Sequence, residues 1–327
     1  MPSLLQEGPS FTELNCTSVI GRSRISSFWH NVSLDYCFDT SGINRLHDDP
    51  ARAELIAGLL SSNRVLVSEL SIVEAIATQA IERRGSLLRL QGQLTRGNMP
   101  LLTPTKLLRR LTLAHVNGLE SESITSDKDS PEAWLALQAP EKFLDEDSRQ
   151  SAYSEKLKIE AQFTAAHKRG RMELRELFPG TLPKNLGQML QFLCNNPLSF
   201  LPIVAVLYEE ITKQLLTEDG MRSLFTVLPE WPLYLAGWAQ GMYARAFQDQ
   251  NYGWRKNPGT IDLWFAVYLE HCDCFVTDDE GQFKALRVIR ALACRRSPKA
   301  RVMRYRQFRS RLFLSPDPAV SKNDPQP

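Results

Sequence analysis

No apolar run in the 327-residue chain approaches the roughly 18 residues that a membrane-spanning helix needs. The opening stretch, MPSLLQEGPSFTELN, has neither the basic start nor the apolar core of a secretory signal. Together these point to a cytoplasmic protein with no membrane association. Cysteine is sparse: Cys16, Cys37, Cys194, Cys272, Cys274 and Cys294 are scattered, and only Cys272 and Cys274 stand close together. A lone C-x-C without a second pair does not build a zinc site, and reduced, mostly buried thiols are the expectation. The five histidines are dispersed, with no H-E-x-x-H, and neither G-x-x-x-x-G-K-[ST] nor G-x-G-x-x-G occurs, which argues against P-loop and Rossmann nucleotide binding. Nothing marks a Ser or Cys nucleophile with a His partner, and His271 reads as a helix-end dipole partner rather than a catalyst.

Net charge is only +2, so the chain as a whole announces no polyanionic partner. Its distribution is uneven. From Gly281 to Pro316 there are eleven Lys or Arg and no Asp or Glu, whereas EKFLDED at 141–147 is acidic. The basic stretch reads either as a solvated face or as a surface for phosphates. Aromatics are interleaved with cations in WAQGMYARAFQDQNYGWRK (238–256). Core packing explains most of these rings, but Tyr252, Trp254, Arg255 and Lys256 stand just ahead of an acidic helix start and suit single-stranded nucleic acid.

Hydrophobic patterning divides the chain. Residues 1–33 and 313–327 are polar and aperiodic and are expected to be poorly ordered. Over 34–116, strand candidates LDYCF (34–38) and RVLVS (64–68) alternate with helix candidates ARAELIAGLLSS (51–62) and SIVEAIATQAIERR (71–84), the pattern of a parallel α/β sheet. NGLESESITSDKDSPEAW (117–134) reads as a linker, and from 131 to 256 only helices are expected. The mixed pattern resumes over 257–312. There Thr260 can cap a helix DLWFAVYLEH, CDCFV is a strand, a helix covers about 279–293, and a last strand lies near 300–304. The fold class is thus α/β, a parallel sheet flanked by helices and split in sequence by a large all-helical insertion, 117–256.

Four acidic positions stand out: Asp39, Glu74, Asp262, and Asp279 with its rival Asp278. Each has a local explanation. Asp39 can cap the following turn, Ser71 with Glu74 and Thr277 with Glu280 have capping-box spacing, and acids in first helical turns complement the macrodipole. As a set they say more. Asp39, Glu74 and the 278/279 pair all follow carboxyl ends of strands, the edge at which open α/β sheets place their sites. Asp262 reaches the same edge if its ten-residue helix, ~15 Å long, matches the strand it leads back to. Converging carboxylates repel unless a hard divalent cation, Mg²⁺ or Mn²⁺, neutralises them.

FDTSG after the first strand, VSELSIVEA after the second, a buried helix opening with Asp, and CFVTDDEGQF together resemble the PIN-domain nucleases over about 34–116 and 257–310. The resemblance implies a PIN-like sheet, Mg²⁺- or Mn²⁺-dependent hydrolysis of RNA, single-stranded, and metal held by Asp39, Glu74, Asp262 and Asp279, with Thr40, Ser41 and Thr277 orienting them. In this reading Arg255, Lys256, Arg295, Arg296 and Lys299 grip the nucleic-acid backbone, and a small antitoxin or another protein partner, or a homodimer, fits the same class. The alternative is a non-catalytic PIN-like scaffold whose helical insertion binds a protein.

Overall fold

The computed structural model describes residues 33–119, 125, 131–158, 161, 183–247, 260–292 and 298–314. Four strands form one parallel sheet: β1 (Asp35–Phe38), β2 (Arg64–Leu66), β3 (Cys274–Thr277) and β4 (Arg301–Arg304), in the order β2-β1-β3-β4. The pairing joins the two ends of the sequence. Cys37 stands beside Leu66 on one side and beside Phe275 on the other, and Thr277 pairs with Arg304. The sheet is therefore incomplete without both halves of the chain.

Alternation along each strand sends neighbouring side chains to opposite faces. Cys37, Leu66, Phe275 and Val302 enter one core, and Tyr36, Phe38, Val65, Cys274, Val276 and Met303 enter the other. The second face is covered by α1 (Thr40–His47), α2 (Arg52–Ser62), α4 (Ile81–Thr95), α6 (Pro131–Gln138) and α14 (Tyr305–Leu314). Phe308 of α14 meets Phe38 edge-on at 5.0 Å and Tyr36 at 5.8 Å. Each such fully buried ring contributes about 1.5–3 kcal/mol of apolar transfer.

The first face is covered by α5 (Pro104–Val116), α8 (Leu186–Asn195), α9 (Leu201–Thr212), α10 (Glu218–Val227), α11 (Glu230–Phe247) and α13 (Glu280–Leu292). Described residues between 131 and 247 carry no strand, as the pattern indicates. They are nonetheless not a separate lobe: Met189, Val204, Leu224 and Trp231 share one apolar cluster with the sheet residues Cys37 and Phe275. The buried Trp231 indole donates to Thr112 Oγ1 at 3.1 Å and joins α11 to α5. None of the described helices is long and apolar enough to cross a membrane.

Four local expectations differ from what is observed. The helix expected over 71–84 is two, α3 (Glu69–Ile76) and α4, with a break at Ala77–Ala80. The buried Arg84 guanidinium takes the carbonyls of Thr78 and Gln79 in that break, a tertiary demand that local propensity does not display. The helix expected from Asp262 is one α-turn, α12 (Thr260–Trp264), followed by a 3-10 helix at Phe265–Glu270. Here α11 presses so close that a Cβ on Gly237 would lie 2.5 Å from Leu263 O, and every residue from Phe265 to Leu269 is buried. Thr260 opens α12 rather than preceding it. The chain also continues past β4 into α14, which reaches Leu314 where an unstructured tail is expected from 313.

Candidate active site

Three backbone segments leave the carboxyl edge of the sheet side by side. β1 runs into Asp39, which caps α1: its Oδ1 accepts from Gly42 N at 2.6 Å. β3 runs into Thr277, Asp278 and Asp279, and Asp39 N donates to Val276 O at 3.2 Å, locking the two ends together. Between β2 and α3, Ser68 is the helix cap, accepting from Ser71 N at 3.2 Å. The spacing of Ser71 and Glu74 is thus not a capping box. Glu74 is left on the outward turn of α3 with its carboxylate free for other work. Gly42 is required where it stands, because a Cβ there would sit 2.8 Å from Val276 O and 3.0 Å from Asp39 Oδ1.

Asp39 is 2% exposed and is surrounded by hydroxyl groups. Ser41 Oγ lies 3.0 and 2.8 Å from its two oxygens and Thr277 Oγ1 2.8 Å from Oδ2. Ser41 Oγ in turn accepts from the N–H groups of Asp278 and Asp279 at 2.9 and 3.0 Å. Burial pushes the Asp39 carboxyl up from 3.8 to about 7. The hydrogen bonds from Gly42, Ser41 and Thr277 oppose the shift, and the neighbouring charge of Glu74 adds to it.

Hydrogen bonding favours the neutral acid in the same direction. Gln282 Nε2 donates to Asp262 O at 2.9 Å, which turns its Oε1 toward Thr277 Oγ1 at 2.8 Å. Thr277 has one hydroxyl proton and two acceptors, Gln282 Oε1 and Asp39 Oδ2, each 2.8 Å away. A proton on Asp39 Oδ2 satisfies all three groups. An ionised Asp39 leaves one short oxygen–oxygen contact without a proton.

Glu74 is the other carboxylate of the pair. Thr40 Oγ1 donates to its Oε2, and Lys156 Nζ lies 2.8 Å from its Oε1. The contrast between Asp39 and Glu69 is informative. Glu69 is also buried, at 2% exposure, on the same edge, but like Glu74 it faces an ammonium, Lys106 Nζ at 3.2 Å. Asp39 has hydroxyls and amides instead.

The remaining acids divide. Asp279 caps α13, with Oδ1 accepting from Gln282 N at 2.6 Å, so Asp279 and not Thr277 is the cap. Asp278 is exposed at the rim, with Arg45 Nε 3.9 Å away. Asp262 is half-buried and is joined to the cluster through its main chain and Gln282. The edge therefore brings Glu74 within Coulombic reach of Asp39, through Thr40 beside it, and places Asp262, Asp278 and Asp279 at the same edge. Among the described residues, no group of three or more His, Cys, Asp or Glu stands close enough to hold an ion by itself. Asp39 and Glu74 still fit Mg²⁺ or Mn²⁺ by donor chemistry, since such ions take one or two carboxylates and complete their shell with water and substrate phosphate.

The expected phosphate grips fare unevenly. Arg255, Lys256, Arg295 and Arg296 lie outside the described residues, as do Tyr252 and Trp254. Of the five cations expected to grip phosphate, Lys299 is described. It precedes β4 at the amino end of the sheet, opposite the acids, and pairs with Asp273 at 3.0 Å. Elsewhere in the basic stretch, Lys284 and Arg304 pair with Glu280, and Arg309 pairs with Asp49. His271 Nε2 approaches Glu230 Oε1 at 2.9 Å, at an angle outside hydrogen-bond geometry. Two site residues escape the sequence reading. Gln282 was within reach, because D-x-x-Q at 279–282 is a capping signature. Lys156 has no local signal, standing 82 residues from Glu74 in a charged helix. Compared with known proteins, the chain matches no family model, no curated protein and no solved structure.

Proposed function

We propose that the chain is a Mg²⁺- or Mn²⁺-dependent endoribonuclease of PIN-like type, acting on single-stranded RNA. On this reading the sheet with α1, α3, α12 and α13 is the PIN-like core, and the helices between Asn117 and Lys256 are its insertion. One observation carries the reading: Asp39 is buried at the carboxyl edge of a parallel sheet, beside Glu74, without a cationic hydrogen-bond partner among the described residues. A carboxyl raised to about 7 in such a place is a group whose ionised form awaits a positive charge. The choice of RNA as substrate rests on the family resemblance of FDTSG, VSELSIVEA and CFVTDDEGQF.

A divalent ion bound by Asp39 and Glu74 would supply Lewis-acid polarisation of the phosphodiester and lower the pKa of attacking water. The protein's own residues make the frame. Ser41 fixes Asp39 and, through the N–H groups of 278 and 279, ties α1 to the end of β3. Thr40 fixes the Glu74 carboxylate, and Gln282 fixes Thr277 against the Asp262 turn. Water adds to phosphorus, the P–O bond to the departing nucleotide breaks, and the departing oxygen takes up a proton that the water releases.

A second reading, a PIN-like scaffold without catalysis, is favoured by one feature: Asp279 is engaged as a helix cap. Hydrolysis of a labelled single-stranded RNA with Mn²⁺ decides between them. The nuclease reading expects cleavage by the wild type and a loss of about 10²–10³-fold in Asp39→Asn and in Glu74→Gln. Wild-type rates in Asp39→Asn would refute it. A wild type that neither binds Mn²⁺ nor cleaves RNA would support the scaffold.

A further inference from the structure

We propose that Lys156 is the second cation of this site: the chain works with a single divalent ion, and the Lys156 ammonium occupies the second ion's place, where it contacts a non-bridging oxygen of the scissile phosphate. This rests on the nuclease reading above and deepens it.

Position is the first argument. Two-ion phosphodiesterases hold their ions about 3.5–4 Å apart and share carboxylates between them. Lys156 Nζ sits 2.8 Å from Glu74 Oε1, while Thr40 holds the other oxygen. The ammonium thus lies on one of the two carboxylates that would hold the ion. It is also reachable: the Lys156 side chain is 33% exposed and that of Glu74 17%, so this is not a sealed structural pair.

Delivery is the second argument. Lys156 belongs to α7, the helix over residues 146–158. The turn ahead of α7 is pinned by Arg84, itself only 2% exposed, whose Nη1 donates to Leu144 O at 3.1 Å and Asp145 O at 2.7 Å. The same guanidinium donates through Nε to Thr78 O at 3.0 Å and through Nη2 to Gln79 O at 3.4 Å. Those carbonyls lie just after α3, the helix that carries Glu74. Ala152, one turn before Lys156, packs on the core beneath the sheet. A buried cation with four hydrogen bonds to carbonyls of the two segments fixes the start of α7 against the end of α3, so Lys156 reaches Glu74 as part of one rigid frame and not as a wandering surface side chain.

Chemically, Lys156 keeps its proton throughout. It forms and breaks no covalent bond, and it stabilises negative charge gathering on the phosphoryl oxygens, the role a second ion would otherwise play. Without substrate it neutralises Glu74.

The test counts ions on the full-length chain, using Mn²⁺ alone, by calorimetry and electron paramagnetic resonance, for the wild type, Lys156→Met, Lys156→Gln and Lys156→Arg. The wild type and Lys156→Arg are expected to bind one ion. Lys156→Met is expected to bind two, with spin–spin broadening of the Mn²⁺ signal. It should cleave single-stranded RNA about 100-fold more slowly at low Mn²⁺ and recover as the second ion enters. Lys156→Gln keeps the test available if the methionine variant fails to fold. Two ions on the wild type, or one ion and undiminished cleavage in both neutral variants, would overturn the role of Lys156 and leave the nuclease reading standing. No Mn²⁺ on any form, with no cleavage, would remove both.

Discussion

Replacing Asp39 with Asn should make the metal-free protein more stable, and increasingly so as pH rises. The fold raises the Asp39 carboxyl from 3.8 to about 7. At 1.36 kcal/mol per pH unit, ionising it inside the fold costs about 4 kcal/mol. The sign follows from linkage. Between those two values the folded state holds a proton that the unfolded state has released, so stability falls as pH rises and the loss is complete once pH exceeds the folded value. Asparagine never ionises, and its layout matches that of the neutral acid: a carbonyl to accept from Gly42 N, an amide to donate toward Thr277 Oγ1, and an N-cap preference equal to that of aspartate. The stability gained by Asp39→Asn should therefore increase by about 3 kcal/mol between pH 5 and pH 8, or roughly 4 °C in melting temperature for a chain of this size. Urea unfolding in chelator, read at half-unit pH steps, measures it. A difference that stays flat or shrinks as pH rises would show that Asp39 is already ionised in the fold at pH 5 and would refute the protonation argument. Adding Mn²⁺ at about 100 times its Kd should return about 2.7 kcal/mol to the wild type and nothing to Asp39→Asn, so the variant is stabilised and inactivated by the same substitution.

Two further substitutions test the frame. Gly42→Ala places a methyl 2.8 Å from Val276 O and 3.0 Å from Asp39 Oδ1, neither of which can withdraw without breaking β3 or the α1 cap. A loss of about 1–3 kcal/mol is expected, with Mn²⁺ affinity falling alongside it, both measurable by thermal melting with and without metal. The adjacent acids should separate cleanly: Asp279→Ala removes a helix cap and should cost about 1 kcal/mol, whereas Asp278→Ala, exposed at the rim, should change stability by less than about 0.5 kcal/mol. Equal losses from the two would contradict the assignment of the cap.

The strands and the acids that follow them were legible in the chain because they depend on short-range chemistry. DYCF, RVL, CFVT and RVMR are apolar runs of strand length, and in a parallel sheet their carboxyl ends must share an edge, which is enough to bring Asp39, Asp278 and Asp279 together and Glu74 nearby. What tertiary structure alone decided is which oxygen faces which partner. Ser68 rather than Ser71 caps α3, and that frees Glu74. Thr277 has to serve Gln282 as well as Asp39, and that favours the protonated acid when no ion is bound. The Asp262 segment tightens to a 3-10 helix because α11 lies against Leu263 O, a contact set by a glycine more than twenty residues away. Lys156 reaches Glu74 from a helix whose start a buried Arg84 ties to the turn after α3. Local periodicity records which residues want to be buried or capped. It does not record which distant group will meet them, and in this protein those meetings determine where the charge lies.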